Sequence, residues 1–140
     1  MRVKIISIYY GKFPSWFELW LLSCSYNSEF DFLIITDQMY NGVIPKNVEI
    51  KQMQWEILQQ CFSHAAGMPV VLEKPYKLCD YKPAYGYIFE DDIKEYKYWG
   101  HCDCDVIFGN LEKILYPILQ QDYDKVFEAG HLTIYKNTFE

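Results

Sequence analysis

The chain has 140 residues and 51% hydrophobic content, enough for one domain with a full core. A net charge of −6, with Arg2 as the only arginine, leaves no basic patch and argues against nucleic acid as the main partner. No stretch approaches the ~18 apolar residues of a membrane-spanning helix. The five cysteines, Cys24, Cys61, Cys79, Cys102 and Cys104, are odd in number, and residues 1–8 are too short and interrupted for a signal peptide. They read as reduced thiols of a cytoplasmic protein.

Residues 3–10 are β-branched and aromatic, a buried strand ending at Gly11. Ser15 is placed to cap a largely buried helix over residues 16–26. A second strand follows over 30–36, closing with Asp37. Strand, helix, strand predicts a parallel sheet, whose ligands sit beyond the carboxyl ends of the strands. Tyr10, Gly11 and Asp37 therefore fall at the expected ligand edge, although Asp37 is equally suited to opening an Asx turn. Asn41-Gly42 is a turn, residues 48–53 a short third strand, and residues 54–66 a helix ended by Gly67-Met68-Pro69. His64, on or near that helix without a partner in view, reads as structural or surface.

Residues 75–89 have helical spacing, with Leu78, Tyr81, Tyr85 and Phe89 on one side and a break at Pro83. Lys77 and Asp80 there are three apart, within reach of an ion pair across one turn. Residues 90–95 read as a charged, solvated connector, residues 111–121 as an amphipathic helix, and residues 123–135 as strands around a turn at Gly130-His131.

The stretch from Tyr96 to Asn110 carries the densest chemistry. An aromatic strand runs into Asp103 and Asp105, then apolar Val106-Ile107-Phe108 and a Gly-Asn turn. If the strand persists, His101, Asp103 and Asp105 share one face, and Cys102, Cys104 and Val106 the other. Two acids side by side repel unless a cation joins them or one takes a proton. Magnesium suits the position, because it is held by one or two carboxylates together with water and phosphates. A diphosphate ligand would otherwise lack positive partners in a chain without an arginine beyond Arg2. A solvated turn is the plain alternative for the acid pair. A zinc site at His101-Cys102-x-Cys104 lacks the usual cysteine spacing and a second half.

The ordered set resembles the GT-A fold of nucleotide-sugar glycosyltransferases, an α/β, Rossmann-like domain with a mostly parallel mixed sheet flanked by helices. More narrowly, it is similar to a bacterial glycosyltransferase family of capsule and lipopolysaccharide synthesis. The segments that carry the likeness are residues 9–14, Tyr-Lys-Leu-Cys-Asp-Tyr-Lys-Pro-Ala-Tyr-Gly at 76–86, Trp-Gly-His-Cys-Asp-Cys-Asp-Val-Ile-Phe-Gly at 99–109, and residues 130–137.

The resemblance implies that Asp103 and Asp105 hold Mn2+ or Mg2+ on the diphosphate of a nucleotide-sugar donor, a UDP-sugar. Asp105 would be the direct ligand, with Asp103 facing the ribose or the ion through water. Tyr10 and Gly11 would border the base, and Asp37 would meet the base or ribose. Lys77 and Asp80 would contact donor phosphate or sugar, and Gly130-His131 would lie against the donor sugar. The acceptor would be a glycan or lipid-linked, the location cytoplasmic, with peripheral contact at the inner face of the membrane. Enzymes of this type are longer, with the acceptor site and often a third metal ligand, commonly a histidine, in a C-terminal part. The 140 residues thus correspond to the donor-binding domain.

Two other readings share the motif. A non-catalytic nucleotide-sugar or metal-binding module would bind without turnover. A haloacid-dehalogenase-type phosphatase would use Asp103 as nucleophile and Asp105 as acid/base, but only 35 residues follow Asp105, and that family places the motif early.

Overall fold

The computed structural model describes residues 2–138, so Met1 and the final Phe139-Glu140 lie outside the described residues. The elements run β1 (Val3–Ile8), α1 (Phe17–Ser25), β2 (Phe30–Thr36), β3 (Val48–Gln52) and α2 (Trp55–Ala66). A 3₁₀ segment (Pro75–Ala84) leads into two short helices, α3 (Tyr85–Ile88) and α4 (Glu90–Ile93). Then come β4 (Tyr98–Cys102), α5 (Leu111–Leu119), β5 (Lys125–Val126) and β6 (Leu132–Lys136).

The six strands form one sheet in the order β3-β2-β1-β4-β6-β5. β1 pairs in parallel with β2, from Val3 opposite Phe30 to Ile8 opposite Ile35, and with β4, from Val3 opposite Tyr98 to Ile6 opposite His101. β3 adds in parallel to β2, whereas β6 runs antiparallel to β4 and β5 antiparallel to β6. The protein is therefore α/β with a mixed sheet flanked by helices, consistent with a Rossmann-like core.

The twofold alternation of the strands sorts the core into two layers. Val3, Ile5, Phe30, Phe32, Ile34, Tyr98 and Ile134 face α1 and α5, which contribute Trp20, Leu21 and the Leu111, Leu115, Leu119 stripe. Ile6, Leu33, Ile35 and Trp99 face the other way, onto Leu58 and Phe62 of α2 and Leu78, Tyr85, Phe89 and Ile93 of the segments after it. Such continuous apolar runs are what strands covered on both faces require.

Several boundaries differ from expectation, each for a local reason. β1 ends at Ile8 rather than Tyr10, although the Tyr9 amide still donates to the Ile35 carbonyl at 2.9 Å. Ser15 does not cap α1; Trp16 precedes the helix, with no side-chain cap. Residues 75–84 coil as a 3₁₀ helix that carries Pro83, because a proline without an N–H cannot continue an α-helical ladder. The expected connector at 90–95 is partly a helical turn: Ile93 is buried, and Asp92 is ion-paired with Lys51.

The largest correction concerns β4. It stops at Cys102, so Asp103 and Asp105 do not extend a strand. β1 pairs only as far as His101 and β6 only as far as Cys102. The last contact of the ladder is the Asp103 amide, which donates to the His131 carbonyl at 3.3 Å, and the chain then turns through Cys104 and Asp105.

Candidate functional site

The parallel strands fan outward in both directions from β1 and β4. The chain moves from β1 to β2 and β3 on one side, then returns to place β4 on the other. That reversal makes a switch point between β1 and β4, and ligands of open α/β sheets settle outside the carboxyl ends there. Two clusters of polar side chains occupy this edge.

The first cluster follows β1 and β2. Gly11 has φ of +99°, a left-handed turn that a side chain would strain, and its N–H donates to Asp37 Oδ1 at 3.0 Å. Gln38 Nε2 donates to the same oxygen at 3.0 Å. The Gln38 amide and the Gly11 N–H hold the Asp37 carboxyl below its ordinary range. Tyr10 packs edge-on against Trp55, with ring centroids 4.9 Å apart, and its hydroxyl donates to the Met53 carbonyl at 2.8 Å. Burial pushes that phenol well above its ordinary pKa, so it stays protonated. Tyr10, Gly11, Asp37, Trp55, Glu73 and Lys74 line an open cavity of about 390 Å³.

The second cluster follows β4. Asp103, partly exposed, is ion-paired with Lys82, whose ammonium also donates to the Gly130 carbonyl at 2.8 Å. Lys82 is largely covered, with 13% of its side chain exposed. Asp105 is exposed. Behind the pair, Cys104 Sγ and Ser7 Oγ share a hydrogen bond at 3.1 Å, and burial pushes the Cys104 thiol up to about 12. Cys24, Cys102 and Cys104 are buried free thiols within the core, and such protonated thiols behave as small hydrophobes. His101 points to the opposite face, near the rings of Tyr85 and Tyr135. Burial, reinforced by Lys82, lowers its pKa to about 4, and its Nδ1 has no hydrogen-bond partner among the described residues.

One buried side chain fixes the loop after the acids. Asn27 Nδ2 donates to the Ser23 and Gly109 carbonyls, both at 2.9 Å, while its Oδ1 accepts from the Leu111 N–H at 2.8 Å. Asn110 then caps α5 by accepting from the Lys113 N–H at 2.8 Å. Phe108 packs on Trp20 and Phe32, which holds the outgoing chain against the sheet.

The structure thus brings Tyr10, Gly11 and Asp37 together, and separately Asp103, Gly130 and His131. Gly130 and His131 act through backbone carbonyls, and the His131 side chain is exposed. Lys77 and Asp80 pair with each other at 3.6 Å on the exposed side of the 3₁₀ segment. That segment begins beside the first cavity, at Lys74-Pro75, and reaches the second cluster through Lys82. At ~2 Å of rise per residue, the eight steps from Lys74 to Lys82 span roughly 16 Å.

Sequence reasoning missed Lys82, Trp55, Lys74 and Asn27. Lys82 stood in a segment already singled out, directly before Pro83, but no periodicity pointed it at an acid twenty-one positions on. Among the described residues no group of three or more His, Cys, Asp or Glu side chains is placed to hold a metal. A family profile described as "Family of unknown function (DUF6625)" matches residues 5–140. Comparison with curated proteins returned no match.

Proposed function

Taking as premise that the chain belongs to the DUF6625 family, we propose that it is the donor-binding domain of a metal-dependent glycosyltransferase of GT-A type. The donor is a nucleoside diphosphate sugar, UDP-linked, and the acceptor a glycan or a lipid-linked sugar. The observation that carries the reading is the position of Asp103-x-Asp105. The pair stands just past the carboxyl end of β4, at the switch point, with the Tyr10–Asp37 cavity beyond the ends of the neighbouring strands.

The residues present fit a cation that arrives with its phosphates rather than a resident one. Two carboxylates are offered, one of them already neutralised by Lys82. A Mg2+-type ion takes one or two carboxylates and completes its shell with phosphate and water. Bound there, the ion would neutralise charge on the departing nucleoside diphosphate.

The chain's own groups divide the remaining work. Tyr10 and Trp55 offer aromatic surface for a base, and Asp37 keeps Oδ2 for a ribose hydroxyl while Oδ1 is held by Gly11 and Gln38. Lys82 supplies a second positive charge beside the acids, which electrostatic stabilisation of a leaving phosphate requires. Lys77 and Asp80 lie along the segment between the two clusters, in line with contacts to phosphate or sugar.

The test is release of UDP from a panel of UDP-sugars with Mn2+ and simple glycan acceptors. Release that stops in Asp105→Asn supports the reading. Donor binding without release would mark a binding module instead, and the absence of both binding and release would overturn the glycosyltransferase reading.

A further inference from the structure

α1 is apolar on both sides. Phe17, Trp20, Leu21 and Cys24 face the sheet and are buried. On the outer side Trp16, Leu19, Leu22 and Tyr26 recur at three- and four-residue intervals and are 46%, 56%, 49% and 81% exposed. A helix that is hydrophobic all round is one that is covered all round. Nothing among the described residues covers this stripe.

The stripe is not isolated. Leu19, Leu21 and Leu22 form one wall of a groove of about 530 Å³, whose other wall is Tyr40, Val43 and Pro45 from the loop after β2. That loop also exposes Met39 at 73%, Val43 at 89% and Ile44 at 42%. At up to about 250 Å² for a fully exposed aromatic side chain and less for an aliphatic one, the seven exposed residues together present several hundred Å² of mostly apolar surface. The largest apolar patch on a monomer is about 300–600 Å², whereas a stable pair of proteins buries about 800 Å² on each partner.

Charge narrows the occupant. α1 contains no lysine or arginine, and the only charged side chain lining the groove is Glu18. A helix that lies on an anionic bilayer needs a basic flank, and a chain of net charge −6 is repelled by that surface. The patch also offers both a ridge, the Trp16–Leu19–Leu22 stripe, and a groove beside it. A ridge and a groove on one patch are what a twofold, isologous contact uses, each copy placing its ridge in the other's groove.

We propose that this face joins two copies of the chain, α1 against α1 with the 39–45 loops closing the sides.

Sedimentation equilibrium on the 140-residue chain, up to about 200 µM, tests it, because a contact of this size holds at micromolar concentration or below. The expected result is a dimer that Leu22→Glu weakens about 30-fold or more, as loss of a central anchor does. Val43→Glu, at a side chain too exposed to affect folding, is expected to weaken it as well. Ile57→Glu, on α2 across the sheet, is expected to leave it intact. A wild-type chain that stays monomeric at the top concentration overturns the proposal. So does a dimer that is indifferent to both groove variants. A monomer that floats with phosphatidylcholine vesicles, and loses that with Leu22→Glu, overturns it in favour of a lipid surface.

Discussion

Lys82 and Asp103 form the contact on which the second cluster turns. An ammonium that is largely covered and a carboxylate about one-third exposed gain more from pairing than two surface charges do, yet less than a fully buried pair. Lys82→Met leaves Asp103 without its partner and is expected to lower the unfolding free energy by about 1–2 kcal/mol. Asp105→Asn, at an exposed side chain, is expected to change it by less than about 0.5 kcal/mol. Urea titrations of both variants check the contrast, and equal losses would contradict it.

Asp122 offers a separate test at the far end of the sheet. It sits at φ 60° and accepts from Lys136 at 2.6 Å and from the Tyr98 hydroxyl at 3.2 Å, with Lys97 at 3.3 Å. Lys136, then Lys97, holds its carboxyl at about 2 instead of 3.8. A carboxyl lowered by folding contributes stability that is complete above the unfolded value and is lost as pH falls through the folded one. The urea midpoint is therefore expected to drop between pH 3.8 and about 2. Asp122→Asn, which tolerates the left-handed turn, is expected to flatten that limb. Parallel curves for the two proteins would remove the assignment.

At the level of elements, the loop from Asp103 to Asn110 owes its path to Asn27, a residue on the far side of the sequence. Its three hydrogen bonds join the end of α1 to the start of α5. Asn27→Ala would leave the Gly109 carbonyl and the Leu111 N–H without these partners and is expected to cost about 2–3 kcal/mol. Gly86 is a packing counterpart: a Cβ there would meet the Trp99 indole at 2.2 Å, where Trp99 stacks on Tyr135 at 4.6 Å. Gly86→Ala is expected to destabilise by about 1–3 kcal/mol and to shift tryptophan emission. An unchanged melting temperature and spectrum would show that the helix slides without cost.

The legibility of these elements follows from how local their causes are. β2 was readable to the residue because the apolar run Phe32 to Ile35 is preceded by Phe30-Asp31 and closed by Thr36 and Asp37. α2 and α5 were readable because their leucines and aromatics recur at helical spacing. The helical run at 75–89 was readable with its break at Pro83, though not its 3₁₀ coiling, and the helical turn at 90–93 was not readable, since it depends on the Asp92 pair with Lys51 of β3 that no local pattern encodes. The same holds for the end of β4. Strand alternation predicted that Cys102 and Cys104 face the core, and they do. Where the strand stops is decided by how far β1 and β6 reach alongside it. Lys82 was hidden for the same reason, as a partner supplied by tertiary folding across twenty-one positions.

For the molecule as a whole, the strand order decides where chemistry can happen. β1 and β4 are adjacent, parallel and central, so the residues that leave them, Tyr10-Gly11 and Asp103-x-Asp105, converge on one edge although they are over ninety positions apart. Net charge −6 makes an unaccompanied diphosphate a poor ligand at that edge. A cation held by Asp103 and Asp105 would reverse the sign of the local field.

The most direct measurement is calorimetric titration of UDP into the protein, first with Mn2+, then with EDTA, then with Mn2+ and Asp105→Asn. Binding is expected with Mn2+, with its disappearance in EDTA and its loss in the variant. Binding that survives EDTA or the Asp105 substitution unchanged would contradict a cation-bridged donor site, and absence of binding under all three conditions would contradict a nucleotide site at the β1/β4 edge.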